Sequence, residues 1–156
     1  MSVQVGYLDG DGHPRVTIRV RGTHPTEFAE IDALLDTGFT GFLMLPIAKA
    51  LPLGLALYGT GDYNLADGSP ISCFLAEGTA EIRPPSGVAT VTPRTPQPAN
   101  PIMQPETVTG VVVLGGDDAL VGMEFVRALK KWLLMGSAVF LIDDDSLNLP
   151  IVTVSA

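Results

Sequence analysis

The chain has 156 residues, of which 46% are hydrophobic and 17% are charged, and this balance excludes an intrinsically disordered protein. The length fits one domain, residues 1–156, with a sizeable core. The formal net charge of −8 and the scatter of the nine basic residues argue against a nucleic-acid partner, because binding to phosphates depends on clustered Lys and Arg.

The first half of the chain is predicted to consist of strands and one short helix. Polar and apolar side chains alternate strictly from Arg15 to Arg21. This pattern indicates a half-exposed strand with Arg15, Arg19 and Arg21 on a solvated face. Together with the turn sequence LDGDGHP, this pattern predicts a hairpin. In chain order, the predicted elements are strands Val3–Leu8, Pro14–Arg21, Phe28–Leu35 and Phe42–Leu45, then a short helix, Ile47–Leu51, after Pro46.

The second half combines a hairpin, a proline-rich segment and a helix. The dipeptide Asp67-Gly68 favours a tight turn, so the sequence YNLADGSPISCFLAEGTAEI predicts a protruding hairpin. Seven of the 13 prolines lie between Pro84 and Pro105, and we interpret residues 84–107 as a surface-loop insertion. The later predicted elements are strand Val108–Leu114, helix Met123–Lys131, a hairpin of Trp132–Met135 with Ala138–Ile142, and a β-prone run, Ile151–Val154.

One acidic residue interrupts an otherwise apolar stretch, LLDTGFTGFLMLP, between Leu34 and Pro46. Asp36-Thr37-Gly38 is favourable turn chemistry, so a turn aspartate is one interpretation. Burial of a carboxylate among apolar side chains is costly unless a hydrogen bond or a shared proton compensates, and such costs are tolerated chiefly at functional sites. The apolar flanks therefore make Asp36 a candidate catalytic residue.

Three motifs in this order resemble a known family. DTGF at residues 36–39, the hairpin sequence LADGS and the sequence LVGMEFVRAL from Leu120 are together similar to the single-domain retropepsin-like aspartic proteases of clan AA. The prokaryotic subgroup with the DTGF motif is the most similar. The resemblance covers residues 6–142 apart from the proline-rich insertion. It implies a mainly β acid-protease barrel with one C-terminal α-helix, assembled as a homodimer.

The resemblance also implies a chemistry. Aspartic proteases hydrolyse peptide bonds with two carboxylates that share one proton, and one of the two activates a water molecule. This chain contains DTG once, and Asp117, Asp118 and Asp143–Asp145 lie in polar turns where solvated carboxylates are expected. We therefore expect the second catalytic aspartate to be Asp36 of an identical subunit across a two-fold axis. The expected activity is that of an endopeptidase on peptide or protein substrates, without a cofactor.

The resemblance alone assigns the remaining site residues. Thr37 is expected to hold the two loops together across the axis, Gly38 to allow close approach of the backbone, and Phe39 and Thr40 to complete the loop. Phe39 is bulkier than the small residue usual after DTG in retropepsins, so we expect a narrowed site. The second glycine motif, expected behind the catalytic loop, is Leu120, Val121 and Gly122. The flap, expected to close over bound peptide, is Ala66, Asp67, Gly68 and Ser69, and the chain ends near Val3 and Val152 are expected to interleave between subunits.

Two other interpretations remain open. In the first, the retropepsin-like fold is kept without the chemistry, as a dimerisation module or a peptide-binding module that holds an extended segment by strand addition. In the second, the chain is a monomeric β-barrel interaction domain and Asp36 is only a turn residue. An intact DTG favours catalysis, because a pure binding module has no need of a buried acid.

No metal site is predicted. His13 and His24 have no Cys or Glu partner at ligand spacing, and Cys73 lies in the apolar run ISCFLA, where a packed core thiol is expected. The sequence shows neither a signal-peptide pattern at its start nor an apolar run of membrane-spanning length. We therefore expect a soluble, cytoplasmic protein with no membrane partner.

Overall fold

Ten β-strands and two short α-helices make up most of the computed structural model, which describes residues 2–22, 27–64, 67–83 and 106–142. The strands are β1 Ser2–Leu8, β2 Pro14–Arg21, β3 Phe28–Leu35, β4 Leu43–Leu45, β5 Leu57–Asn64, β6 Pro70–Arg83, β7 Val108–Leu114, β8 Leu120–Val121, β9 Trp132–Met135 and β10 Ala138–Ile142. The helices are α1 Ile47–Ala50, which a 3₁₀ turn Leu51–Leu53 continues, and α2 Met123–Ala128. The predicted mainly β class is therefore confirmed.

Both helices end earlier than predicted, and each end has a local cause. Helix α1 stops at Ala50, because Pro52 has no N–H with which to continue the α-helical ladder. Helix α2 stops at Ala128 rather than at Lys131, and Lys130 has a positive φ of 50° that a continuing helix does not allow.

Several predictions fall outside the described segments. They concern the proline-rich residues 84–105, the flap residue Ala66, the turn aspartates Asp143–Asp145, and the run Ile151–Val154 with Val152. Strand β1, which contains Val3, pairs with β10 and β2 of its own chain. Interleaving of the chain ends with a second subunit stays a prediction.

All ten strands belong to one sheet, in the order β5-β6-β7-β4-β8-β3-β2-β1-β10-β9. Strand β6 is 14 residues long, and its C-terminal part, from Thr79 to Arg83, pairs with β2 as well. The pairings therefore form a closed circuit that leads from β2 through β3, β8, β4, β7 and β6 back to β2. Strands β5 and β9 are the two ends of the strand order.

The alternation predicted along β2 is confirmed by burial of its side chains. Val16, Ile18 and Val20 are fully buried in the core. The prediction that the arginines of the other face are solvated is wrong for two of them. The side chains of Arg15 and Arg19 are only 17% and 20% exposed, because each pairs with a carboxylate of the neighbouring strand β3.

Two apolar clusters fill the interior. The main core includes Phe42 packed against Phe125 of α2, with ring centroids 5.2 Å apart. Cys73 is a packed core thiol in the second cluster, as predicted, and burial raises its pKa. This second cluster, called the small cluster below, has Met44, Cys73 and Val113 at its centre and Phe39, Tyr63, Ile71, Leu75 and Leu120 packed around them.

Candidate active site

The predicted catalytic loop, residues 36–40, and the second glycine motif, residues 120–122, lie side by side. Strand β8 pairs in parallel with β3 and antiparallel with β4, so it lies between them. The loop that joins β3 to β4 therefore spans β8. The Asp36 N–H donates to the Val121 carbonyl at 3.0 Å, which ties the loop directly to β8.

Asp36 lies just after β3, where the chain leaves the core. Leu35 and Phe42 on either side are buried, but Asp36 itself is only half-buried. Its Oδ1 atom accepts the Gly38 N–H at 2.8 Å, and its backbone carbonyl accepts the Phe39 N–H at 3.2 Å. The other carboxylate oxygen accepts no hydrogen bond from the described residues. The Gly38 N–H thus orients the carboxylate, and the described residues leave its other oxygen for a further partner.

An open cleft of about 580 Å³ lies beside Asp36. Its described walls come from β3 and from the β1–β2 and β9–β10 turns, and Asp36 is the one carboxylate among these residues. Thr37 lines the cleft as well, whereas Gly38 and Thr40 are exposed outside it. The lining residues are Leu8, Gly12, His13, Pro14, Leu34, Leu35, Asp36, Thr37, Met135 and Gly136. A cleft of this size has room for part of a peptide beside the carboxylate.

Gly122 lies directly behind the predicted catalytic loop, residues 36–40, which is called the Asp36 loop below. Its position has no room for a side chain. A Cβ atom there would collide with the Gly41 carbonyl oxygen and lie 2.6 Å from Cδ1 of Phe39. Backbone hydrogen bonds hold the same contact, from the Gly122 N–H to the Phe42 carbonyl at 3.0 Å and from the Met123 N–H to the Phe39 carbonyl at 2.9 Å. The loop therefore satisfies N–H groups at the start of α2, and α2 holds the loop in place.

The Phe39 side chain turns away from the cleft. It is absent from the residues that line the cleft of this chain. Narrowing of a dimeric site stays a prediction. The ring belongs to the small cluster and covers Gly41. A Cβ atom added at Gly41 would lie only 2.7 Å from Cζ of the Phe39 ring. The missing side chains of Gly41 and Gly122 make room for the ring.

Strands β5 and β6 form the predicted hairpin, and three of the four expected flap residues, Asp67, Gly68 and Ser69, are described in its turn. Gly68 has a φ of +82°, which favours glycine. Asp67 accepts the Ser69 hydroxyl at 2.6 Å and the Ser69 N–H at 2.9 Å, and these bonds hold the pKa of Asp67 below its ordinary value. None of the three lines the Asp36 cleft. The hairpin meets the loop at its base instead, where the Tyr63 and Phe39 ring centroids are 6.5 Å apart.

An ion-pair cluster that the sequence analysis missed holds the turn before β8. The Arg15 guanidinium donates to both carboxylate oxygens of Asp118 at 2.9 and 3.0 Å, and its Nε donates to Asp32 at 2.6 Å. Asp118 lies in a polar turn with 44% of its side chain exposed, as expected of a solvated residue, but its ion pair with Arg15 was not predicted. The carbonyl of the next residue, Ala119, accepts the Leu34 N–H at 2.8 Å. Arg15 thus fixes the start of β8 beside β3.

Asp118→Asn is expected to lower the free energy of unfolding by about 1 kcal/mol at neutral pH and by almost nothing in strong acid. Hydrogen bonds from Arg15 hold the pKa of Asp118 below its ordinary value in the folded state. The stability contributed by the ionised Asp118 is therefore fully present above the pKa of about 4 that this group has in the unfolded chain. It is lost as the pH falls through the lower pKa of the folded state. Because the Asp118 side chain is 44% exposed, solvent screening keeps the effect small.

Urea unfolding of the Asp118→Asn variant between about pH 7 and about pH 2 measures this difference. Asp117→Asn is the matched control, because Asp117 is an exposed carboxylate of the same turn and is not one of the carboxylates to which Arg15 donates. Its substitution is expected to change the free energy of unfolding by less than about 0.5 kcal/mol. A loss of stability in the Asp118→Asn variant that is the same at every pH would contradict the prediction.

Three side chains of the β1–β2 turn lie close enough to hold a metal ion. Ligand atoms of Asp9, Asp11 and His13 lie within 4.8 Å of one another. However, Oδ1 of Asp9 already accepts the N–H groups of Asp11 at 3.0 Å and His13 at 2.9 Å. Such bonds are typical of a tight polar turn, and we assign no metal to it.

The fold and the site define a mainly β protein with a half-buried aspartate in a glycine-rich loop beside an open cleft. No model of a known protein family matches the sequence, and no curated protein matches it. In the part of the chain that the structure describes, no helix has both the length and the hydrophobicity needed to cross a membrane.

Proposed function

We propose that this protein is a homodimeric aspartic endopeptidase of the retropepsin-like type. The observation that carries the proposal is that Asp36 is the one carboxylate among the described residues that line its cleft, in a loop held by β8 and by the start of α2. Peptide hydrolysis by two carboxylates requires a second acid at the same cleft. A second copy of the chain, related by a two-fold axis, supplies that acid.

In the proposed mechanism, the two Asp36 carboxylates share one proton, because two like charges in contact do not both stay ionised. The ionised carboxylate takes a proton from water as the water oxygen bonds to the carbonyl carbon of the scissile peptide. The protonated carboxyl group donates its proton to the carbonyl oxygen. The intermediate then collapses: the C–N bond breaks, the leaving nitrogen takes the proton from the first carboxyl group, and a hydroxyl proton returns to the second.

The contacts of the loop suit Asp36 to this role. The Gly38 N–H directs Oδ1 and leaves the other carboxylate oxygen for water or for the second aspartate. Thr37, Gly38 and Thr40 are exposed, so a partner subunit has access to the loop. We assign the Thr37 hydroxyl to a hydrogen bond across the two-fold axis.

The strand pairings support a retropepsin-like barrel as the proposed fold. They return from β6 to β2 and so close a circuit around the main core. They also bring Gly122 behind the Asp36 loop, which is the place that the resemblance implies for the second glycine motif.

A catalytically silent dimerisation or peptide-binding module is the alternative. Strand β5 is one end of the strand order, so its outer edge offers backbone groups to an extended peptide. A module of this kind would bind peptides without cleaving them, and Asp36→Asn would leave its behaviour unchanged.

A subunit-mixing experiment tests the shared pair of aspartates. Wild-type protein is mixed with the Asp36→Asn variant at constant total concentration, under conditions that allow subunit exchange. Cleavage of an unfolded protein is then measured between about pH 3 and about pH 8. Because only dimers with two Asp36 carboxylates are active, activity is expected to fall with the square of the wild-type fraction, to about one quarter at equal amounts.

Mixing with Asp117→Asn is the control and is expected to leave activity unchanged at every ratio, since Asp117 does not line the cleft. Dilution of the wild-type protein is expected to lower its specific activity as dimers dissociate. Activity that falls only in proportion to the wild-type fraction would contradict the proposal, because each subunit would then act alone.

A further inference from the structure

Phe39 connects the Asp36 loop to a part of the molecule that the proposed chemistry does not use. Its N–H donates to the Asp36 carbonyl at 3.2 Å, and its own carbonyl accepts the Met123 N–H at 2.9 Å. Its ring, however, lies in the small cluster, together with side chains from the β5–β6 hairpin. One residue therefore belongs both to the loop and to the packing beneath the hairpin.

Tyr63 is the hairpin residue whose ring meets Phe39. The two ring centroids are 6.5 Å apart and the ring planes are inclined by 57°, which is a tilted aromatic contact. Tyr63 lies opposite Ile71 in the hairpin, and both side chains pack against the small cluster. Burial raises the pKa of Tyr63, in agreement with a partly enclosed ring.

Beyond Tyr63, the described residues of the hairpin tip, Asn64 and residues 67–70, are all exposed. Strand β5 is also at the end of the strand order, with β6 as its neighbour. Strand β6 pairs with β7 from Phe74 onward. The position of the hairpin beyond that point therefore depends on its side chains in the small cluster, which are Tyr63, Ile71 and Cys73. Of these, Tyr63 makes the ring contact with the loop.

We propose that Phe39 and Tyr63 are positioning residues whose contact couples the β5–β6 hairpin to the Asp36 loop. When Tyr63 moves, the Phe39 ring loses packing on that side, while the backbones of Gly41 and Gly122 stay against its other sides. The Phe39 backbone, hydrogen-bonded to Asp36, then moves with the ring. A ligand that orders the hairpin therefore orders the loop as well. The consequence for catalysis rests on the proposed function, but the coupling itself does not.

Hydrogen exchange on the intact protein tests the coupling without an assay of cleavage. In Tyr63→Ala, amide exchange is expected to quicken by about tenfold or more in the hairpin and also at the loop amides of Gly38 and Phe39 and at the Met123 amide of α2, which donates to the loop. Tyr63→Phe keeps the ring and is expected to restore slow exchange in both places. Tyr58→Ala is the matched control, because Tyr58 is a 59% exposed tyrosine of the same strand and is expected to affect only its neighbours.

Faster exchange confined to the hairpin, with the loop amides unchanged, would overturn the proposal. If Tyr63→Ala does not fold, Tyr63→Leu removes the ring and keeps an apolar side chain for the same comparison. In an active protease, Tyr63→Ala is also expected to lower kcat with little change in KM, because a displaced loop impairs the chemistry rather than binding. A wild-type protein without protease activity would refute the proposed function and leave the exchange result on the coupling valid.

Discussion

Asp36→Asn is expected to abolish peptide hydrolysis and to leave the protein folded. A carboxamide neither shares the proton of a carboxyl pair nor takes one from water, so kcat is expected to fall by about a thousandfold or more. The fold survives because the hydrogen bond that orients the side chain runs from the Gly38 N–H to Oδ1 at 2.8 Å, and an amide oxygen accepts the same bond. The free energy of unfolding is expected to change by less than about 0.5 kcal/mol.

Two measurements on the same preparations check this prediction: release of peptides from an unfolded protein, and urea denaturation. Asp117→Asn is the control, since Asp117 is exposed in a turn outside the cleft and is expected to keep both activity and stability. Cleavage that persists in Asp36→Asn would contradict the proposed function. Peptide binding by the wild-type protein with no cleavage under any condition would favour the silent module instead.

Local periodicity explains why most of the described fold was predictable from sequence. The alternation of Val16, Ile18 and Val20 with polar residues depends only on neighbours two positions apart, and it indicated both the strand and its buried face. The helix ends were missed where one residue decided the outcome. Pro52 has no N–H to donate, and Lys130 adopts a left-handed conformation that its sequence context does not indicate.

The contacts that build the site were predictable only in part, because they join distant segments. Arg15 and Asp118 are 103 residues apart, and nothing near either residue indicates the other as its partner. The orientation of Phe39 depends on space left by Gly41 and Gly122, which belong to two different segments. A motif shows that a glycine is present but not which ring or carbonyl fills the space beside it. The sequence therefore did not indicate that the Phe39 ring packs in the small cluster rather than lining the cleft.

Gly122→Ala is expected to lower the free energy of unfolding by about 3 kcal/mol. The added methyl group would collide with the Gly41 carbonyl oxygen and lie 2.6 Å from Cδ1 and 2.8 Å from the carbonyl oxygen of Phe39. Two of these three atoms are backbone atoms, which cannot rotate away as a side chain does. The loop and the start of α2 must therefore separate, which weakens the bonds from Met123 N–H to Phe39 O and from Glu124 N–H to Gly41 O.

Urea unfolding measures this loss, and Gly10→Ala is the control, because no atom lies within 4 Å of the Cβ position at Gly10. The control is expected to differ from wild type by less than about 0.5 kcal/mol. Gly122 has a φ of −96°, which alanine adopts freely, so a loss of stability would come from the collision and not from backbone strain. Activity is expected to fall as well, since the loop that moves carries Asp36. A Gly122→Ala protein as stable as wild type would mean that α2 and the loop separate without a loss in the free energy of unfolding. Contact with α2 would then not explain how Asp36 is held.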